Sequence, residues 1–305
     1  MGKDDKTRGR ARAVREPAAQ PARLVVRKTY KLYVKGAFPR SESGRSYPVT
    51  SPDGRHLANA ALASRKDARD AVVAARAAFA GWVGRTAYNR GQILYRVAEM
   101  LEGRRAQFVD EVAAATGGDR RSAETAVDAA VDRWVHYAGW SDKIAQVAGA
   151  ANPVSGPYFN LSTPEPSGVV AVLAPQDDPL LGFVSVVAPV IATGNTAVVV
   201  ASEERPLPAI TLAEVLATSD LPGGVVNILT GRTAELAPTL AAHADVNGLD
   251  LTGAGGLAAE LEQSAAATLK RVMRPRPAPD WAAKPPIERM TRFLETKTVW
   301  HPIGV

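Results

Sequence analysis

The sequence predicts an α/β fold: a parallel sheet with helices on both faces, preceded by a small β-sheet part and a run of helices. Three observations predict it. Between residues 168 and 273, short apolar runs alternate with longer apolar or amphipathic stretches at the spacing of βαβ units. Two of those runs, GVVAVLA at 168–174 and TAVVVA at 196–201, are apolar throughout and read as buried strands. The net charge of +6 is confined to the first 28 residues, which hold nine Lys/Arg and three Asp/Glu. The remaining chain sums to zero and, rich in Ala, Val and Leu, has the means to bury a sizeable core.

The elements follow in order. Residues 1–28 are basic and Pro/Ala-rich without periodicity, and read as a disordered, solvated tail. Residues 30–35 (YKLYVK) alternate as a strand does, and Gly36 and Pro39 turn the chain. Two more strands, 45–49 and 57–62, flank a Ser51-Pro52-Asp53-Gly54 turn, so the three are expected to form a β-meander. Ser64 is placed to cap a helix, with Asp67 three residues later as the capping-box acid and Ala68, Val72, Ala75 and Phe79 as its apolar face. A second helix is predicted over 87–101 with Ile93, Leu94, Val97 and Leu101 inward. A third, 104–116, stops at Gly117-Gly118. A fourth, over 121–147, carries the stripe Ala123, Val127, Val131, Trp134 and Ala138; this stripe and Trp140 read as core.

Residues 152–167 hold four prolines and the alternating piece Tyr158-Phe159-Asn160-Leu161-Ser162, which suggests an extended hairpin leaving the body. The βαβ region begins at 168–194: an apolar strand, the loop Pro175-Gln176-Asp177-Asp178-Pro179, then a buried helix over 180–192. In such units a ligand sits at the loop after the first strand. Strands at 198–200, 225–229, 246–252 and 270–273 then alternate with helices at 208–218, 234–242 and 257–268. Residues 274–286 are a Pro-rich connector, and 296–300 (TKTVW) is a β-prone segment that must join a sheet edge in this subunit or another.

Composition excludes several kinds of chemistry. Cysteine is absent, which removes disulfides, thiolate metal sites and a cysteine nucleophile together. His56, His136, His243 and His301 lack metal-ligand spacing, and His243 reads as a helix-end cap. The charged start lacks a secretory signal pattern, and the acids and prolines of 168–194 argue against a membrane span, so a cytoplasmic protein is expected. No aromatic residue interleaves the charges of the tail, which argues against nucleic acid as its partner.

The order of elements and several phrases resemble the aldehyde dehydrogenase superfamily. Residues 168–175 resemble the strand leading to that family's Pro-Trp-Asn-Phe-Pro loop, and Gly194-Asn195-Thr196 its GNT-strand. LPGGVVNILTG at 221–231 is nearly verbatim family sequence, and Leu251-Thr252-Gly253 resembles its Phe-Thr-Gly-Ser loop. Tyr158-Phe159-Asn160-Leu161 and ETKTVW at 295–300 resemble the hairpin and terminal strand that serve oligomerisation. Residues 31–49 and the WHPIGV ending look closest to the degenerate second half of family 16 aldehyde dehydrogenases. The resemblance implies a Rossmann-like, dinucleotide-binding domain over 29–149 and 168–273, and oligomerisation elements at 150–167 and 289–305 with Tyr158, Phe159, Leu161, Thr298, Val299 and Trp300 at the interface. The Pro-rich segment 274–288 then stands where the family carries a catalytic domain with its cysteine nucleophile.

Family chemistry needs a thiolate, an amide to hold the oxyanion, a nicotinamide to take hydride and a carboxylate base. By the resemblance, Asp177 occupies the oxyanion Asn position, where a carboxylate repels an oxyanion; Gln176 and Asp178 replace the flanking Trp and Phe. Asp177 and Asp178 together suggest a metal or acid/base pair, or else a solvated polar loop. For the dinucleotide, the family Lys that meets the ribose matches Val200, and the next Pro matches Ala201. Two glycines match Thr233 and Ala237, and the pyrophosphate Ser matches Ala254. Glu203, Gly231, Thr252 and Gly253 remain as a vestigial NAD(P) site. The expected function is a non-catalytic subunit, without cofactor or metal, that assembles with a full-length aldehyde dehydrogenase or with itself. A residual NAD(P)-binding regulator or weak aldehyde oxidoreductase, and a nucleic-acid adaptor acting through the tail, are the alternatives.

Overall fold

A computed structural model describes residues 26, 28–277 and 279–304. Apart from Val26 and Lys28, the basic tail expected at 1–28 lies outside the described residues. The first part comprises β1 (Thr29–Tyr30), β2 (Ser46–Thr50) and β3 (His56–Ala61), then α1 (Arg65–Val83), α2 (Ala87–Glu102), α3 (Arg105–Thr116), α4 (Arg120–Trp140) and α5 (Ile144–Ala148). The hairpin is β4 (Ala150–Asn152) and β5 (Tyr158–Pro166). The alternating region follows as β6 (Val169–Leu173), α6 (Leu181–Ala192), β7 (Thr196–Val200), α7 (Leu207–Ala217), β8 (Val226–Leu229), α8 (Thr233–Ala242) and β9 (Gly248–Asp250). A short 3-10 turn, Gly255–Leu257, leads into α9 (Ala258–Ala266), β10 (Arg271–Met273), the Pro-rich segment, α10 (Glu288–Thr291) and β11 (Leu294–Pro302).

The fold class is the one the sequence predicts. Strands β10, β9, β6, β7 and β8 lie side by side in that order, and every pairing is parallel. Alternation along each strand sorts side chains between two cores. Val170, Val172, Val199 and Ile228 face α2, α4, α6 and α7. Val169, Ala171, Val198 and Leu249 face α1, α8 and α9. The first core is closed at α6, all twelve of whose residues are buried, and by Trp82, whose indole N–H donates to the Ile191 carbonyl at 3.0 Å.

Two expectations at the N-terminal side are corrected. The three short strands lie in the order β1-β3-β2, with β1 parallel to β3, and so form a mixed sheet rather than a meander. The reason is that the chain leaves this sheet after Tyr30. Tyr33 exchanges two backbone hydrogen bonds with Ile228 of β8, at 2.9 and 2.7 Å, which splits the strand expected over 30–35. The single helix expected over 121–147 is two, α4 and α5. At the break the Ser141 hydroxyl donates to the Tyr137 carbonyl (3.0 Å) and the Lys143 ammonium to the Gly139 carbonyl (2.6 Å), so side chains satisfy the carbonyls at the end of α4. The capping box at Ser64 and Asp67 forms as predicted, and Gly117 ends α3 in the left-handed region, φ 69°.

The terminal strand joins its own hairpin. β11 pairs antiparallel with β5 from Leu294↔Pro166 to Pro302↔Tyr158, giving a second sheet in the order β11-β5-β4. This sheet is fastened to the parallel one by Asn195. Its amide oxygen accepts from the Gly168 N–H (2.9 Å) and its amide nitrogen donates to the Phe293 carbonyl (3.0 Å). Phe293 itself is buried against Gly248 of β9, where a Cβ would stand 2.5 Å from the ring. Replacing Phe293 by Ala removes this plug, and a loss of about 3–5 kcal/mol is expected, read as a lower urea midpoint; an unchanged midpoint would show that the terminal segment adds nothing to the body.

Candidate functional site

From β6 the chain lays down β7 and β8 on one side, then returns to place β9 on the other. The strand order therefore reverses between β6 and β9, and in open α/β sheets ligands sit outside the carboxyl ends of the strands at such a point. Four loops meet there: 174–180 after β6, 201–204 after β7, 230–232 after β8 and 251–254 after β9.

The loop Gln176-Asp177-Asp178 is turned to structural use. The Gln176 amide nitrogen donates to the Ala174 carbonyl at 2.9 Å, and its amide oxygen accepts from the Glu203 N–H at 2.9 Å, tying the first two loops together. Asp178 is half-buried, and its carboxylate accepts the N–H groups of Gly182 (2.9 Å) and Leu180 (3.3 Å) at the N-terminus of α6. Burial pushes its pKa up from the ordinary 3.8, and those N–H groups oppose the rise. Asp177 is exposed, with its backbone carbonyl accepting from Arg205 at 2.6 Å. The two acids thus serve different surroundings and do not converge. Among the described residues no group of three His, Asp or Glu side chains is arranged to hold a metal. His243 stands at the end of α8, its Nδ1 accepting from the Asp245 N–H at 3.1 Å.

The positions that the resemblance assigns to a dinucleotide are likewise taken up within the chain. The Glu203 carboxylate accepts the Thr233 N–H at 2.5 Å and pairs with Arg232 at 3.3 Å, so it caps the N-terminus of α8. Thr233 and Ala237 are buried, as are Val200 and Ala254. Gly231, at φ 149°, lies close to the Ala63 backbone; a Cβ at Gly253 would stand 1.9 Å from the Ala174 carbonyl oxygen. Both glycines answer to chain crossings. The Thr252 N–H donates to Asp250 at 2.9 Å. Glu203, Gly231, Thr252 and Gly253 thus each have a partner or a close neighbour within the chain.

What sequence reasoning missed lies between β9 and the Pro-rich segment. Asp250, at the end of β9, pairs with Arg289 of α10 at 3.0 Å, with the two side chains 2% and 10% exposed. Arg289 also contacts the Thr252 hydroxyl (3.3 Å) and lies over the Trp281 ring, 5.2 Å from its centroid. Burial raises the Asp250 pKa, and Arg289 and Thr252 oppose that rise. Arg289 of α10 thus reaches the carboxyl end of β9, beside the β6/β9 reversal. A signal existed: an acid inside the apolar run 246–252 has to find a partner. Nothing in the sequence marked Arg289 as that partner.

The remaining predicted residues stand on the second sheet. Phe159, Leu161 and Val299 share one face and are 57%, 49% and 43% exposed. Tyr158 and Trp300 lie on the other face, in an edge-on contact with centroids 5.7 Å apart. Thr298 meets Ser162 hydroxyl to hydroxyl at 2.9 Å.

Comparison with known proteins gives a consistent result. The profile of the aldehyde dehydrogenase family matches residues 38–274. Human (Homo sapiens) retinal dehydrogenase 2 is 32% identical over 249 residues, covering 79% of this chain and 47% of the relative. The mitochondrial benzaldehyde dehydrogenase of Antirrhinum majus is 33% identical over 273 residues, 86% of this chain and 49% of the relative. An NAD+ complex of aldehyde dehydrogenase from Bacillus cereus superposes with a TM-score of 0.77 at 28% identity, covering 80% of this chain and 50% of that one. The chain therefore spans about half the length of the relatives it matches.

Arg289→Met leaves Asp250 buried without its cation and is expected to cost about 3–5 kcal/mol in urea unfolding. Adding Asp250→Asn should recover much of that loss; if it does not, the ion pair is not what holds the segment. For Asp178 the raised folded pKa means that the native state holds this proton more tightly than the unfolded chain. Its contribution is fully present below the ordinary value and is lost as pH rises through the raised one. Asp178→Asn keeps an oxygen acceptor and drops the charge, so its stability relative to the parent should rise as the pH climbs above the ordinary aspartate value of 3.8. A difference that stays flat with pH would remove the desolvation argument.

Proposed function

The chain belongs to the aldehyde dehydrogenase family, and on that premise we propose that it is a non-catalytic subunit that assembles with, and stabilises or regulates, a full-length member of the family. The observation that carries this reading is the second sheet. Phe159, Leu161 and Val299 present an exposed apolar face, and β11 is an edge strand whose outer side has no partner among the described residues. An exposed edge beside apolar side chains invites addition of another strand. The chemistry points the same way. This chain has no cysteine to supply a thiolate, and Asp177 stands where the resemblance places an oxyanion-holding amide. On this reading 150–167 and 289–305 are assembly elements, and 274–288 is a connector in place of a catalytic domain. No helix of the described residues is long and apolar enough to cross a membrane.

A second reading, a residual NAD(P)-binding regulator or weak oxidoreductase, draws on the structural neighbour that is an NAD+ complex. Calorimetric titration separates the two: saturable heat with NAD(P) at millimolar concentration favours the second, and none favours the first. Co-expression with full-length aldehyde dehydrogenases, followed by sizing and native mass measurement, tests the assembly itself. A heteromer is expected, and Leu161→Asp or Val299→Asp should reduce it at least about tenfold by placing a charge in an apolar contact. A particle made only of this chain would sink the heteromer.

A further inference from the structure

A pocket of about 350 Å³ opens on the small N-terminal sheet, between the end of β1 and the start of β2, with Ala61 of β3 between them. None of its lining residues belongs to the parallel sheet, to the loops at the carboxyl ends of those strands, or to the β11-β5-β4 sheet. Nine residues line it; Lys31, Arg40 and Arg45 are cations, and none is an acid. All three cations are exposed. After residue 28 the formal charges of the chain cancel, so this pocket is a local departure from the balance of the body.

The fold fixes the backbone that carries these cations. Lys31 stands where the chain leaves β1. On one side of it Tyr30 pairs with Ala60; on the other the Leu32 N–H donates to the Pro39 carbonyl at 3.0 Å and Tyr33 is bonded to Ile228. Arg40 and Arg45 flank a loop held by Asp67, whose carboxylate accepts the Ser41 hydroxyl (2.7 Å), the Glu42 N–H (3.1 Å) and the Ser64 N–H (2.8 Å). Gly44, at φ 67°, turns that loop, and its N–H donates to the Ser41 carbonyl at 2.9 Å. The Arg45 Nε donates to the Ser43 hydroxyl at 3.3 Å. A ligand therefore meets cations on a loop already ordered, and the entropy lost on binding is reduced.

The charges around the pocket decide the ligand class. Among the described residues, Glu235 of α8 is the acid that pairs with these cations, at 3.8 Å from Arg45. The carboxylate of Glu42 accepts the Ser64 hydroxyl at 2.9 Å and that of Asp67 the loop donors; neither residue lines the pocket. Three cations against Glu235 leave a net charge of +2, which suits a dianion better than a monoanion. A phosphate monoester carries about two negative charges near pH 7, and its three terminal oxygens accept from several Lys and Arg donors at once. Thr29, Ser41 and Ser46 put hydroxyl groups in the same wall, which suits a hydroxylated body.

We propose that this pocket binds a small hydroxylated phosphate monoester, its phosphate held by Lys31, Arg40 and Arg45. The site stands independently of the sheet edge argued above to carry assembly. The test is calorimetry on the full chain, at fixed ionic strength, with glycerol 3-phosphate, glycerate and inorganic phosphate. Glycerol 3-phosphate should bind saturably at one site. Glycerate, with a similar body and a single charge, should bind at least about tenfold more weakly, and inorganic phosphate, which lacks the body, about three- to tenfold more weakly. Lys31→Gln and Arg40→Gln, at exposed positions, should each weaken the ester about five- to tenfold. The double variant should lose saturable binding while its thermal stability without ligand holds. Arg121→Gln, which removes an equally exposed cation from α4, should bind like the parent. The proposal is overturned if glycerol 3-phosphate gives no saturable heat, if glycerate or inorganic phosphate binds as well, or if the double variant binds like the parent, which would put the anion elsewhere on the chain.

Discussion

A parallel sheet has to be covered on both faces, and the arrangement of this chain follows from that constraint. The five strands are so apolar that neither face can be left to water. Alternate residues of β6 and β7 therefore supply two cores, one roofed by α2, α4, α6 and α7, the other by α1, α8 and α9. The wholly buried α6 is the extreme case. Helices formed early in the chain, α1 to α4, are needed to complete the cover over strands formed later, so the N-terminal half and the βαβ half make one body.

The same constraint acts at the carboxyl ends of the strands. Polar groups gather there because loops and helix N-termini do, and each buried one needs a partner. Asp178 caps α6, Glu203 caps α8, Gln176 ties two loops, and Asp250 is matched by Arg289 from the Pro-rich segment. A rim that in other α/β proteins faces a ligand is here stitched to itself and to a passing segment. That segment is in turn held by Arg133 through two of its carbonyls.

The second sheet is anchored by few groups. Asn195 joins the Gly168 N–H to the Phe293 carbonyl, and Arg271 forks onto Glu295, so β11 leaves the body in a fixed direction and pairs with β5 along its length. Beyond those anchors the sheet projects with Phe159, Leu161 and Val299 uncovered. A sheet held firmly at one end and apolar at the other is suited to meeting another chain, and this is why the assembly reading rests here.

The sequence by itself determined the elements whose pattern is local. Val-rich runs set the strands of the parallel sheet, Ser64 and Asp67 set the start of α1, Gly117 set the end of α3, and phrases such as LPGGVVNILTG identified the family. It also determined that no thiolate chemistry arises from this chain. Only the tertiary structure decided which elements lie side by side: that β1 joins β3, that Tyr33 leaves its strand to bridge β8, and that β11 pairs within its own chain. It also decided the partners of single polar groups, Glu203 with the start of α8, Asp250 with Arg289, Arg133 with the Pro-rich segment. The reason is physical. Local pattern is written in periodicity and capping residues a few positions apart, whereas a buried charge is satisfied by whatever group the packed chain brings to it, tens or hundreds of residues away.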